Sequence, residues 1–344
     1  MQDSSITRPG ERRIRWGILS TARINRALLG PLSQSSRSDL VAVASRDLET
    51  ARNYAHRNDI PRAFGSYEDL LADPEIDAIY ISLPNHLHCE WAVAAAKHGK
   101  HVLCEKPLVL TLEEMNRVET AARGYDVTIF EAFMYLHHPQ TLRLQEMVRS
   151  GVLGQLQSLR SHFSFYLPPD SGNVRLRPEM GGGSLWDVGV YAVSLSVVMA
   201  NAGAPIQVYG SRTDGETGID IGFEGLLRFS NDLMAQISCG FRRPLEWGAT
   251  LAGSDGILTI DEPWKPGFEG TVSSVRIRNH EGDQQTLSFS EPDPYLCEVA
   301  AMEACVLDGA EPVVPLKLSR QILRTVLALY QSADTGRALS LSTG

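Results

Sequence analysis

The chain has 344 residues, 43% of them hydrophobic and 21% charged, which at roughly 100–200 residues per domain predicts two domains with a core each. Its 29 glycines and 18 prolines exclude collagen-like and disordered classes. With 32 Lys+Arg against 41 Asp+Glu the formal net charge is −9, and no basic block offers phosphates a grip, which argues against nucleic acid as a partner.

Residues 1–13 are polar and end in Glu11-Arg12-Arg13. No apolar stretch follows the arginine pair, so this segment reads as a short disordered N-terminus rather than an export signal. The five cysteines (Cys89, Cys104, Cys239, Cys297, Cys305) are scattered and never spaced C-x-x-C, which fits reduced thiols and a cytoplasmic protein. No apolar run approaches the about 18 residues of a membrane helix, so no membrane partner is expected.

The first half alternates strand and helix. Ile14–Leu19 predicts a strand, followed by a small-residue turn and a helix reaching Leu32. Leu40–Ala44 (LVAVA) and Ala78–Leu83 (AIYISL) are continuous apolar runs, as in strands buried on both faces of a parallel sheet. Helices are expected at about Leu48–Asn58 and Leu87–His98, and further strands at His101–Cys104 and Val127–Phe130. This rhythm predicts a doubly wound α/β domain over 14–130.

The second half, 131–344, reads as an α/β domain with an open, largely antiparallel sheet. Leu233, Ala235, Ile237, Cys239 and Phe241 alternate, and a Ser230-Asn231-Asp232 turn joins them to a strand at Gly225–Phe229. Turns at Gly253–Gly256 and Glu281-Gly282-Asp283 predict two more hairpins. A closing helix is expected from about Leu318 to Thr335.

Three constellations carry chemistry. In Gly17-Ile-Leu-Ser20-Thr21-Ala22-Arg23-Ile24-Asn25, small residues between the first strand and first helix let a backbone approach a pyrophosphate. The usual glycine fingerprint is degraded to Ser20-x-Ala22-x-x-Asn25. After the second strand, Ser45-Arg46 stands about where an acid would hold a ribose 2′-hydroxyl, and an arginine there favours NADP over NAD. Leu83-Pro84-Asn85-His86-Leu87-His88 and Cys104-Glu105-Lys106-Pro107 follow two other strands, at the ends where open α/β sheets bind ligands. A lysine there can stand beside a developing alkoxide. Last comes Gly181-Gly182-Gly183-Ser184-Leu-Trp186-Asp187-Val-Gly189-Val-Tyr191. If 184–199 is helical, Asp187 and Tyr191 share one face as a proton donor and its partner.

In this order the motifs resemble the Gfo/Idh/MocA family of NAD(P)-dependent oxidoreductases. The resemblance runs from Arg15 to about Thr335. It is most specific at Glu105-Lys106-Pro107, Glu131-Ala132-Phe133-Met134-Tyr135, and the three glycines with Asp187 and Tyr191. It implies an NADP-binding Rossmann domain, a C-terminal domain whose open sheet makes a homodimer or homotetramer, and a sugar substrate between them. The cofactor-binding residues are then Ser20, Thr21, Ala22, Arg23, Ile24, Ser45, Arg46, Leu83, Pro84, Asn85, His88, Glu105 and Lys106. Substrate is expected against Lys106, Phe133, Tyr135, His138, Asp187 and Tyr191, with no metal.

Tyr191, where many members carry histidine, resembles the branch of glucose-fructose oxidoreductase, xylose and dihydrodiol dehydrogenases and sugar 3-ketoreductases. Leu136-His137-His138-Pro139, where many relatives place an arginine after the tyrosine, resembles the 3-ketoreductases. The expected catalytic group is Tyr191 as proton donor, Lys106 lowering its pKa from about 10, and Asp187 holding a substrate hydroxyl or orienting the pair. A nucleotide-sugar substrate is the alternative; Arg160, Arg175, Arg177 and Arg242-Arg243 are candidates for its diphosphate. A non-catalytic NADP sensor and a redox-dependent glycosidase rank below.

Overall fold

The computed structural model describes residues 12–290 and 292–341. The expected disordered segment 1–13 thus lies outside the described residues apart from Arg12 and Arg13. Arg13 is tied down: its guanidinium donates to the Ser38 carbonyl at 2.6 Å and pairs with Asp39 at 3.1 Å.

The first half builds β1 (Ile14–Leu19), α1 (Arg26–Gln34), β2 (Ser38–Ala44), α2 (Leu48–Arg57), β3 (Arg62–Phe64), α3 (Tyr67–Ala72), β4 (Ala78–Ile81), α4 (His88–Lys97), β5 (His101–Glu105), α5 (Leu112–Tyr125) and β6 (Ile129–Ala132). The six strands are all parallel, in the order β3-β2-β1-β4-β5-β6. All four residues of β4 are inside, and in β2 Ala42–Ala44 are buried while Leu40 and Val41 are half-buried. Side chains of Asp47, Ser66 and Thr111 cap α2, α3 and α5, the last as a capping box with Glu114. The sequence pattern predicts neither β3, α3 nor α5; the first two are too short to show a period.

The second half adds α6 (Pro139–Arg149), β7 (Leu156–Tyr166), α7 (Val190–Ala200), β8 (Gln207–Asp214), β9 (Asp220–Arg228), β10 (Met234–Gly240), β11 (Arg242–Gly253), β12 (Gly256–Ile260), β13 (Ser273–Asn279), β14 (Gln284–Phe289), α8 (Pro294–Asp308), α9 (Leu316–Thr335) and β15 (Leu339–Ser340). The sheet runs β14-β13-β12-β11-β7-β10-β9-β8-β15. Only the central β7–β10 pair is parallel. The three expected hairpins are β9–β10, β11–β12 and β13–β14. The alternating residues from Leu233 to Phe241 all point inward. On the other face Tyr209, Leu226, Gln236, Arg160 and Thr250 stand side by side across five strands. The stretch Pro178–Ala200 reaches the length and apolarity of a membrane span, contrary to expectation, but it is buried almost throughout.

One hydrophobic cluster runs without a break from Trp16 and Ile18 of β1, through Phe133–Tyr135, to Phe163, Tyr191 and Trp264. The two sheets therefore share a core, and the seam between them is apolar. Helices α8 and α9 return across it. Glu303 of α8 accepts from the Ser35 hydroxyl and, at 2.6 Å, from that of Ser38, which in turn accepts from Trp16 Nε1 at 2.9 Å. Arg320 of α9 pairs with Glu119 of α5 at 2.7 Å.

Glu303→Ala leaves two hydroxyls without an acceptor at this buried junction and should cost about 2 kcal/mol in urea unfolding. Asp308→Ala, which breaks the solvent-exposed pair with Arg37, should leave the midpoint unmoved. Equal effects from the two would refute a junction at Glu303.

Candidate active site at the seam

In a sheet of this order ligands bind outside the carboxyl ends of the strands, where β1 and β4 lead in opposite directions. The turn after β1 is built for a close approach even without its glycines. Ser20 adopts φ 107°, a left-handed conformation that L-residues avoid. Its hydroxyl lies 2.8 Å from that of Ser82, and Asn25, wholly buried, donates to the Ser20 carbonyl at 2.9 Å. Thr21 and Ala22 are half-buried, and Arg23 and Ile24 are exposed. At the end of β2, Ser45 is half-buried and Arg46 exposed. Asn85, after β4, reaches into the second half and donates to the Gly181 carbonyl at 2.9 Å.

Lys106 crosses the seam. Its ammonium donates to the Asp187 carbonyl at 2.6 Å and lies 3.1 Å from Asp187 Oδ1. The other carboxylate oxygen accepts from Arg175 Nε at 2.6 Å. Burial by itself would push the Asp187 carboxyl up, but Lys106 and Arg175 outweigh it and hold the pKa down at about 2. The carboxylate is therefore ionised at every ordinary pH, with both oxygens committed.

The three glycines bend tightly against their own chain. Gly181 and Gly183 have φ 75° and 132°. A Cβ on Gly182 would lie 2.6 Å from the Arg175 carbonyl oxygen, and one on Gly183 2.3 Å from Asp220 Oδ1. Asp220, almost fully buried, accepts from the Ser184 hydroxyl, the Leu185 N–H and the Tyr330 hydroxyl at 2.6, 2.7 and 2.7 Å. It thereby anchors the start of the helical run. That run is not α-helical throughout as expected: Leu185–Gly189 forms a π turn ahead of α7, which breaks the four-residue register between Asp187 and Tyr191. Lys106 restores the association, lying 5.2 Å from the Tyr191 ring centroid.

Tyr191 is set in an aromatic box. Phe133, Tyr135, Phe163 and Trp264 surround it at 5.9, 5.9, 5.7 and 5.8 Å between centroids. Its hydroxyl donates to the Met134 sulfur at 3.8 Å. Burial pushes the phenol well above its ordinary pKa, with Tyr295, Glu105, Asp187 and Glu298 adding to the shift. The expected lowering by Lys106 is thus not what this arrangement produces: the ammonium lies over the ring and is bound by Asp187, and burial dominates the phenol.

Four expected contacts are corrected by burial. Phe133 and Tyr135 are fully enclosed, Tyr135 with its hydroxyl 2.7 Å from Ser194 Oγ, so they form the wall behind Tyr191. His138 is fully enclosed and caps α6 by accepting from the Gln140 N–H at 3.1 Å. His88 has both ring nitrogens on backbone carbonyls and no surface for a cofactor. Trp264 was not anticipated. It lies between Pro263 and Pro266 in the β12–β13 loop, and an indole in such a loop is the one signal that could have marked it. Glu105 accepts from Tyr80 at 2.6 Å.

A parallel sheet of this order with a cation, a carboxylate and a phenol at its carboxyl edge defines a nicotinamide-dependent oxidoreductase. Residues 14–133 match the oxidoreductase family with an NAD-binding Rossmann fold, and 141–259 the GFO/IDH/MocA C-terminal domain. The chain belongs to the Gfo/Idh/MocA family. It is 39% identical to D-xylose 1-dehydrogenase (NADP(+)) 2 of Haloferax volcanii over 95% of this chain and 99% of that one. It is 31% identical to trans-1,2-dihydrobenzene-1,2-diol dehydrogenase of Xenopus laevis, over 90% and 94%. Among solved structures it resembles the 3-ketoreductase KijD10 of Actinomadura kijaniata in complex with NADP and TDP-benzene, with TM-score 0.84 and 28% identity over 95% and 98% of the chains.

Glu131 of β6 lies behind this site. Burial pushes its carboxyl up from an ordinary 4.5 to about 7, against Ser319, the Leu108 N–H and Lys106, which pull it down. The folded protein binds that proton more tightly than the unfolded chain. The group's contribution to stability is therefore whole below pH 4.5 and is lost as the pH rises through about 7. Glu131→Gln stays neutral at every pH, so its stability relative to wild type should climb with pH, reaching an excess of about 3 kcal/mol above neutrality. Urea midpoints measured across that range check it; a difference that does not grow with pH would show that Glu131 is comfortably ionised.

Proposed function

We propose that the chain is an NADP-dependent dehydrogenase of unmodified aldoses, moving a hydride reversibly between nicotinamide C4 and a sugar carbon. The observation that carries this reading is the Lys106–Asp187–Arg175 cluster against the protonated Tyr191 phenol. Lys106, held by Asp187 and lying over the Tyr191 ring, puts a cation next to the place where an oxyanion would form.

The turn Ser20–Ile24 fits a pyrophosphate, since Ser20 holds the backbone that a glycine would otherwise supply. Ser45 and exposed Arg46 fit a 2′-phosphate. Leu83-Pro84-Asn85 and Glu105-Lys106 border the end of the crevice nearest Tyr191. The bound cofactor supplies or accepts the hydride. Tyr191 gives its proton to the carbonyl oxygen in the reducing direction; a thioether is a weak acceptor, so the phenol leaves Met134 at little cost. Lys106 over the ring stabilises the phenolate left behind and the alkoxide as it forms. Asp187, with both oxygens engaged, orients Lys106 instead of holding a sugar hydroxyl.

An unmodified sugar is favoured because most of the arginines available for a diphosphate are committed. Arg175 is bound to Asp187, Arg243 to Glu224 at 2.8 Å, and Arg242 to the Leu167 carbonyl. Arg160 lies on the outward face of the second sheet; Arg177 stands exposed beside the glycine turn. The similarity to a xylose dehydrogenase that uses NADP supports the same choice.

Nicotinamide absorbance with NADP⁺ or NAD⁺ and a panel of aldoses tests the reading. Reduction of NADP⁺ in preference to NAD⁺ is expected. Silence with tight NADPH binding would transfer the assignment to a keto-sugar or nucleotide-sugar reductase. Tyr191→Phe should lower turnover about 10²- to 10⁴-fold and leave NADPH affinity unchanged; full activity in that variant would remove Tyr191 from the reaction.

We also propose a homodimer through the outward face of the second sheet, where Tyr209, Leu226 and Met234 are exposed. Light scattering should return twice the chain mass, and Leu226→Arg should return it to one chain. A wild-type monomer would refute the proposal.

A further inference from the structure

The peptide unit joining Pro107 to Leu108 is held at both polar ends by ionisable side chains sealed inside the protein. His88 Nδ1 lies 2.7 Å from the Pro107 carbonyl oxygen, and the Leu108 N–H donates to Glu131 Oε1 at 2.9 Å. The second ring nitrogen, Nε2, lies 2.7 Å from the Leu83 carbonyl oxygen. His88 and Glu131 are 0% and 3% exposed. Three adjacent parallel strands are thereby joined beyond their ends: His88 opens α4 after β4, the held peptide follows β5, and Glu131 lies on β6.

We infer that His88 and Glu131 are positioning residues that fix the Pro107–Leu108 peptide and so determine where the Lys106 ammonium stands. The inference rests on the role given to Lys106 under Proposed function.

Lys106 is one residue from the clamped peptide and must meet two targets on another part of the chain, Asp187 and the Tyr191 ring. A loop free to shift would lose both. With the proton of its neutral ring on Nδ1, His88 is a donor at the oxygen end and Glu131 an acceptor at the N–H end; the two polarise the peptide in one sense, so each bond strengthens the other. Removing the Glu131 oxygen would leave a buried N–H unsatisfied, and the loop must move to find another acceptor.

A second observation extends the brace to the partners of Lys106. Glu131 and Ser319 line a cavity of about 10 Å³ whose other walls include Pro107, Leu108, Trp186 and Val190. Trp186 adjoins Asp187, and Val190 adjoins Tyr191. Glu131 Oε2 and Ser319 Oγ, neither satisfied elsewhere, are the polar groups of this wall. The same carboxyl that holds the lysine loop thus backs the helical run carrying both its targets.

The test is brief reductive methylation of the folded, full-length protein, read at each lysine by mass spectrometry, beside steady-state kinetics. Lys100, whose ammonium is held by the Asp73 and Ile76 carbonyls, reports any general loosening. In Glu131→Ala, Lys106 should be methylated about tenfold faster and kcat should fall about tenfold, with KM for NADP⁺ and the Lys100 rate unchanged. Glu131→Gln, whose amide oxygen can still accept the Leu108 N–H, should recover most of both. His88→Leu should expose Lys106 likewise.

Unchanged Lys106 labelling in folded Glu131→Ala and His88→Leu would overturn the inference. So would a parallel rise at Lys100, which would mean general loosening. The labelling needs no substrate, so a wild-type enzyme silent toward every sugar would refute the proposed function while this result still stood. Faster labelling with unaltered kcat would keep the brace and remove Lys106 from the reaction.

Discussion

The bond between the Lys106 ammonium and Asp187 spans the two halves of the chain, and the rest of the site is arranged to keep it. Lys106 leaves the edge of the parallel sheet; Asp187 sits in a π turn that belongs to the other half. Taking both charges out of water is costly, and breaking such a pair by removing one partner typically costs about 3–5 kcal/mol. A buried pair of this kind is a poor way to gain stability. It is a good way to place a positive charge at a defined point in an apolar seam, especially with Arg175 on the remaining carboxylate oxygen.

Several otherwise odd features follow from that requirement. The glycines at 181–183 bend where no Cβ fits, because the chain must turn tightly between Arg175 and Asp220 to bring Asp187 under Lys106. Asp220 and Tyr330 hold the start of the helical run from the side of the second sheet. The aromatic box around Tyr191 removes water, which keeps the phenol protonated and strengthens the field of the neighbouring cations. A protonated phenol and a buried ammonium therefore occupy one small volume with opposite demands on the medium. They coexist because Asp187 holds the lysine over the ring.

Much of this could be read from the residues. The apolar runs at 40–44 and 78–83, the alternation from Leu233 to Phe241 and the turn residues between hairpins carry the fold class, since burial on one face or two leaves a period in the sequence. Lys106, Asp187 and Tyr191 were legible because strand ends and glycine turns mark where function gathers. Trp264, Asp220 and the roles of His88 and Glu131 were not. Each acts through a partner 20 or more residues away or through a backbone group, and neither leaves a local pattern. Phe133, Tyr135 and His138, expected against the substrate, are enclosed, because a motif records which residues recur near a site and says nothing about which side of the wall they face.

The sequence by itself determined the architecture, a parallel α/β sheet followed by a largely antiparallel one, together with the small-residue turn after β1 and the residue types at the carboxyl edge of the first sheet. Those are consequences of periodicity and of local backbone preference, which act over a few residues. Only the tertiary structure decided which nitrogen meets which oxygen. It gave Asp187 to Lys106 and Arg175, turned His88 and Glu131 toward one peptide, and broke the helical register between Asp187 and Tyr191. Those outcomes depend on desolvation and on angstrom-scale packing between segments far apart in the chain, and no local pattern encodes them.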